Sequence, residues 1–229
     1  MKYFGEGLSE KHQELNKIIR KKEMLESSKK LFLEIHEKLH RSSVSNSEHN
    51  EVDELLDDLS PKEYSIMLSN KDETIAWIIW HIARIEDLTM NILVNSGEQI
   101  FDKEWKGRLN VNITDTGNIL SNDEIIDLSK NINIDELLAY RNSVGKQTRM
   151  IVNNIIADDM RRKVSNFGLV KILKEGGVTE DKGSIWLLDF WGKKDVAGIL
   201  LMPPTRHVML HLNDCCRWKH EFRTKKKKN

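Results

Sequence analysis

The stretch from Glu73 to about Asn95 is the most apolar in the chain, and its apolar residues recur at helical spacing. Wound at about 100° per residue, Ile75, Ile78, Ile82, Ile85, Leu88, Ile92 and Leu93 share one arc of a helix. Arg84, Asp87 and Asn91 fall opposite and are expected to face water. Asp72 is positioned to cap this helix and Ser96-Gly97 to stop it, giving bounds of roughly 72–95. No run of about 18 uncharged apolar residues occurs anywhere in the chain, so no membrane span is expected.

Three more long helices follow from the same reasoning. Leu15, Ile18, Ile19, Leu25, Leu31, Phe32, Ile35 and Leu39 fall at mostly helical spacings, which predicts one helix over roughly 8–41, ended by the Ser/Asn-rich stretch Arg41 to Asn50. Ser60-Pro61 can open a short helix. Ser121-Asn122-Asp123-Glu124 and Asn133-Ile134-Asp135-Glu136 resemble capping boxes, the second opening a helix over roughly 133–157. Pro203-Pro204-Thr205 starts a last helix over roughly 204–220, since proline is tolerated in a first turn. Between them, Val164 to Leu201 is punctuated by glycines and reads as short helical pieces.

The expected fold is therefore all-α, a single domain over 1–229 arranged as a four-helix bundle with long crossover connections. Residues 225–229 read as a disordered basic tail. Lys+Arg and Asp+Glu each total 36, so no net field draws the chain to nucleic acid or an anionic membrane. The two cysteines, Cys215 and Cys216, are sequence neighbours and poorly placed for a disulfide. With no signal-peptide pattern at Met1 to Glu6, a cytoplasmic protein acting on a small molecule is expected.

The chemistry lies in the histidines. His81 falls between Leu88 and Ile92 on the apolar arc, so its side chain should point inward. His207 and His211 are four residues apart, a spacing that puts two imidazoles on one helix face and can place both nitrogens about 2.0–2.1 Å from one transition-metal ion. A lone inward histidine is usually a satisfied core residue, but a third one on another apolar helix turns the pair into a candidate three-histidine site. Such a donor set suits Zn, Ni, Fe or Cu and leaves a coordination position open to water or substrate.

The segments Thr74-Ile75-Ala76-Trp77-Ile78-Ile79-Trp80-His81-Ile82-Ala83-Arg84-Ile85-Glu86-Asp87 and Thr205-Arg206-His207-Val208-Met209-Leu210-His211-Leu212-Asn213 resemble the DinB superfamily. That family's pattern has one histidine on the second helix of a four-helix bundle and an HxxxH on the fourth, positions filled here by His81, His207 and His211. The resemblance implies a divalent metal, commonly zinc or nickel. It also implies one of several activities, since relatives include thiol-dependent S-transferases, a maleylpyruvate isomerase and presumed metal-dependent hydrolases.

Two reactions fit such a site. A low-molecular-weight thiol as co-substrate could be activated by the metal to attack an electrophile, or metal-activated water could hydrolyse a substrate with help from a carboxylate base. Asp214 and Glu86 are the candidate bases, though each more readily pairs with an arginine, for which Arg206, Arg217 and Arg84 are at hand. Cys215, one turn past His211, reads as a small buried hydrophobe. Trp77, Trp80, Trp186, Trp191 and Trp218 read as core, with some able to line an aromatic pocket. A non-catalytic metal- or ligand-binding bundle, able to pair as a homodimer, is the third reading.

Overall fold

The computed structural model describes residues 5, 7–68 and 72–226. Every regular element among them is helical, and the nearest thing to a strand is a single bridge between Lys163 and Asp195. In chain order the helices are α1 (Leu8–Ile18), α2 (Leu25–Leu39), α3 (Glu51–Asp57), α4 (Pro61–Tyr64), α5 (Ile75–Asp87), α6 (Lys103–Leu109), α7 (Asn122–Asn131), α8 (Ile134–Asn154), α9 (Asn166–Lys174), α10 (Lys182–Gly192), α11 (Val196–Leu200) and α12 (Val208–Lys226). Among the long ones, α2 and α5 each pack on both α8 and α12. No described helix is long and apolar enough to cross a membrane.

The expected first helix is two. The chain turns between Ile19 and Leu25, and α2 packs against α1, with Lys11 and Glu34 paired across them at 3.1 Å. No glycine or proline announces this break. It is held instead from the far end of the chain, where Asp195 takes both Nε and Nη2 of Arg20 at 2.8 and 2.7 Å. An arginine fork clamped on a carboxylate fixes both position and orientation.

The helix carrying His81 also departs from expectation at its start and on one face. Its cap is Thr74, whose Oγ1 accepts from the Trp77 amide at 3.1 Å, and not Asp72. All of α5 is buried, as is the wide π-type continuation Leu88–Val94. Arg84, Asp87 and Asn91 do not face water. Asp87 accepts from Arg84, Tyr140, Asn91 and the amides of Ile100 and Phe101 at 2.6–3.1 Å, and Arg84 also donates to Gln99 and the Thr114 carbonyl. A buried ion pair is tolerable only when its remaining donors and acceptors are filled in this way. The polar face is real, but it is covered by the connector after α5 and by α8 instead of by solvent.

Later boundaries follow the sequence more closely. Asn133 accepts from the Glu136 amide at 3.3 Å to start α8, and the Ser121–Glu124 box caps α7. Val164 to Leu201 forms α9, α10 and α11, capped by Ser165, Asp181 and Asp195. Pro203 and Pro204 sit in a wide turn, Met202–His207, that leads directly into α12; missing proline N–H groups leave the regular α-helical pattern unavailable there. Helix α12 includes residues 225 and 226 of the basic tail, and 227–229 lie outside the described residues.

Candidate metal centre

Residues Thr114 to Gly117, in the connector between α6 and α7, run along α5 and offer four successive carbonyls to it. Thr114 accepts from Arg84, Asp115 from the Trp80 indole, Thr116 from His81 and Gly117 from the Trp77 indole, at 2.8–3.0 Å. The collar demands glycine at 117: φ is +78°, and a Cβ there would lie 2.8 Å from the Trp77 nitrogen. Trp77 in turn stacks on His81 with ring centroids 4.7 Å apart and planes 13° from parallel.

This arrangement sets the chemistry of His81. Because a carbonyl only accepts, Nδ1 of His81 must carry the proton and donate to Thr116, leaving Nε2 as a lone pair. That lone pair faces His207, with the two Nε2 atoms 3.2 Å apart. His207 ends the wide turn before α12 and His211 follows one turn later, so α5 and α12 together deliver the three rings. The rings are steeply inclined to one another, at 59°, 69° and 82°, with centroids 4.6–5.2 Å apart.

One nitrogen from each ring lies within 4.8 Å of the others, as needed for three ligands around one ion. Bonds of about 2.0–2.1 Å in a tetrahedral site put neighbouring nitrogens about 3.3 Å apart, close to the observed 3.2 Å. Burial pushes His81 down to about 3 and His211 to about 4, and it holds His207 well below its ordinary value, with the neighbouring imidazoles adding to the effect on His81 and His207. All three are neutral at pH 7, the state in which imidazole binds metal. The residues therefore fit a divalent transition ion. Among the described residues no fourth side chain joins the group.

The open side of the triad gives onto a cavity of about 420 Å³. Its wall is largely apolar and aromatic, from Trp77, Ile85, Trp186, Leu187, Phe190 and Trp191. Trp80 and Trp218 are core residues, as their spacing indicates.

Neither carboxylate singled out in the sequence lines this cavity. Asp214 is paired with Arg217 one turn along α12. Glu86 is buried, and its partners are histidines where arginine was expected: His36 Nε2 at 3.0 Å to one oxygen and His40 Nε2 at 3.0 Å to the other. Arg84 is committed to Asp87, and Arg206 is exposed. Burial alone would raise the Glu86 pKa, but the charge that His40 takes up in acid and the hydrogen bonds from His36 and His40 hold it far below the carboxylate range. Cys215 is fully buried and burial pushes its thiol up, so it is a core residue and no ligand.

The His36–Glu86–His40 group escaped the sequence reading although its signal was present. His36-Glu37-Lys38-Leu39-His40 has the same spacing as His207 to His211. The Thr116 carbonyl, by contrast, leaves no trace in residue type.

An all-helical protein with three convergent neutral histidines at the floor of an apolar cavity is what the fold and site define. Residues 47–213, well over half the chain, match the family model of the DinB superfamily, and the chain belongs to that superfamily. The matched region contains His81, His207 and His211 and excludes His36 and His40. No curated protein matches the chain.

Proposed function

We propose that the protein is a metal-dependent enzyme that transfers a low-molecular-weight thiol to an electrophilic small molecule at the His81–His207–His211 centre. The observation that carries this reading is the convergence of three neutral imidazoles whose open side faces an apolar cavity. A divalent ion held by these three histidines, zinc or nickel as the family resemblance implies, would supply Lewis acidity that lowers the pKa of a thiol entering from the cavity. Overall, a thiol and R–X give a thioether and HX: the S–H proton is released, a carbon–sulfur bond forms, and X departs with the pair of the broken bond.

The chain's own contribution is to hold the donors and exclude water. Thr116 fixes His81 in the tautomer with Nε2 free, Trp77 stacks on its face, and the aromatic wall keeps the electrophile in a poorly hydrated space. Thiol transfer needs no general base from the chain beyond the metal site, whereas a hydrolase needs one near its nucleophile. The two anticipated bases are engaged elsewhere, Glu86 by two histidines and Asp214 by Arg217. Among the described residues Glu73 is the one carboxylate in the cavity wall, and a hydrolytic reading would rest on it.

Elemental analysis of untagged protein, followed by assays with glutathione, bacillithiol or coenzyme A against alkyl halide electrophiles, tests this. Stoichiometric metal and thiol-dependent turnover are expected. Ester or amide hydrolysis without added thiol would replace the transferase reading with the hydrolase. Metal without turnover in either assay would leave a binding protein.

A further inference from the structure

We infer that the cavity over the histidine triad selects flat, uncharged aromatic molecules and rejects anionic ones, with Trp186 as the specificity-determining residue. The inference deepens the proposed function, and its relevance to turnover rests on that reading. The binding it describes needs only the cavity.

Three observations carry it. The first is the state of the polar groups in the wall. The indole N–H of Trp77 donates to the Gly117 carbonyl and that of Trp186 to the Gly183 carbonyl, each at 3.0 Å. Asn118 Oδ1 accepts from Thr116 Oγ1 at 2.6 Å. The two indoles therefore offer ring faces and hydrocarbon to a ligand with their N–H groups occupied, Asn118 has its carbonyl oxygen engaged, and π faces favour stacked or edge-on rings.

The second is charge. Among the described residues lining the cavity there is neither Lys nor Arg, and the one formal charge is the carboxylate of Glu73. Lys194 has its Nζ 3.9 Å from the Phe190 ring centroid, but it is not part of the wall. An anion entering here loses hydration and gains no cation from the protein, which is costly. In the metal-free protein no Lys or Arg among the described lining residues offsets that cost.

The third is Trp186 itself. It is 47% exposed while lining the cavity, and it meets Phe190 edge-on at 6.0 Å, both rings on α10. A half-exposed tryptophan over an apolar cavity is a typical anchor for a ligand, which would bury the rest of its surface. A volume of about 420 Å³ is within the range of small-molecule sites.

The test compares 2-naphthol with 2-naphthoate, the same bicycle with and without a full negative charge, by fluorescence and calorimetric titration of the full-length protein. Chelator-treated protein is the decisive sample, because a carboxylate could otherwise bind an ion directly. There 2-naphthol should bind at least about tenfold more tightly than 2-naphthoate. Trp186→Ala should weaken 2-naphthol by about tenfold with helical content and metal uptake unchanged, and Trp186→Phe should keep most of the affinity. Equal or tighter binding of 2-naphthoate to metal-free protein, or wild-type affinity in Trp186→Ala, would overturn the inference. Metal titration of the same samples separates the two readings: naphthol selectivity without metal uptake sinks the proposed reaction alone, and uptake without selectivity sinks this inference alone.

Discussion

The protein carries two histidine pairs at i,i+4 spacing, His36 on α2 with His40 just past its end and His207 just before α12 with His211 on it, and each pair meets a buried residue of α5. At one end that residue is His81 and at the other, five positions on, it is Glu86. The ring geometry separates them. His36 and His40 are stacked, with centroids 4.2 Å apart and planes 23° from parallel, so their Nε2 atoms point the same way and each takes its own carboxylate oxygen. His207 and His211 stand at 82° and converge with His81. Nearly parallel rings donate in parallel, which suits the two oxygens of one carboxylate; inclined rings aim lone pairs at one point, which suits an ion. His36, His40 and Glu86 are close enough together to be a candidate metal group by distance, but orientation makes them a hydrogen-bonded clamp between α2 and α5.

The largest expected effect tests that distinction directly. His81→Ala, His207→Ala and His211→Ala should each lower zinc or nickel affinity by at least about 100-fold, read by calorimetry and elemental analysis. His36→Ala and His40→Ala should leave one ion per chain. Two ions per wild-type chain, one of them lost with His36, would make the clamp a second metal site.

Next comes the clamp's charge. Glu86→Ala leaves two buried imidazole N–H groups without an acceptor and should cost about 3–5 kcal/mol in urea unfolding. Glu86→Gln retains an acceptor and should cost less. It also removes the charge that supports the ionised state of Arg141, whose pKa burial pushes down to about 10. Both variants should still bind metal at one per chain if they fold. Loss of metal from a folded Glu86→Gln protein would mean the two clusters act as one.

Acid should weaken the clamp in a set direction. Burial drives His40 down from its ordinary 6.5 to about 3, against the pull of Glu86, so the unfolded chain binds the proton first. Its contribution to stability is complete above about pH 6.5 and is lost as pH falls toward 3, amounting to about 2 kcal/mol by pH 5. Glu86, held below its ordinary 4.5, adds a loss of the same sign beneath that value. Urea midpoints of metal-free protein at pH 7.5 and 5.0 measure this sum together with losses of the same sign at His81, His207 and His211, and the drop that His40→Gln removes from the dependence is the clamp's share. A midpoint that stayed level would contradict the buried neutral imidazole.

How far the sequence revealed these two clusters follows from what residue types encode. Spacing and apolar pattern located His81, His207 and His211 on two helices, because both periodicities are local. The same logic applied equally to His36 and His40, and spacing alone holds no information about ring inclination. The polar face of α5 was visible as Arg84, Asp87 and Asn91, but its burial depends on a collar made of backbone carbonyls from residues 114–117, which any residue supplies. The break between α1 and α2 was hidden for a similar reason, since Arg20 is held by a residue 175 positions away.

The smallest effect is the most discriminating about the clamp's rigidity, because two terms oppose each other at Gly145. This glycine lies inside α8, where alanine would ordinarily stabilise by about 1 kcal/mol. A Cβ there would stand 2.6 Å from His40 Nδ1, 2.8 Å from its Cε1 and 3.0 Å from Val44 Cγ1. A free side chain would swing aside, but the His40 ring is pinned by Glu86 on one side and stacked on His36 on the other. Steric cost should therefore exceed the helix gain, leaving Gly145→Ala destabilised by about 1–2 kcal/mol with metal binding intact. Adding His40→Ala removes the two closest contacts and leaves Val44 Cγ1 at 3.0 Å, so in that background the same alanine should cost clearly less. If Gly145→Ala is stabilising in the wild type, the ring moves freely and the clamp is far softer than its hydrogen bonds imply.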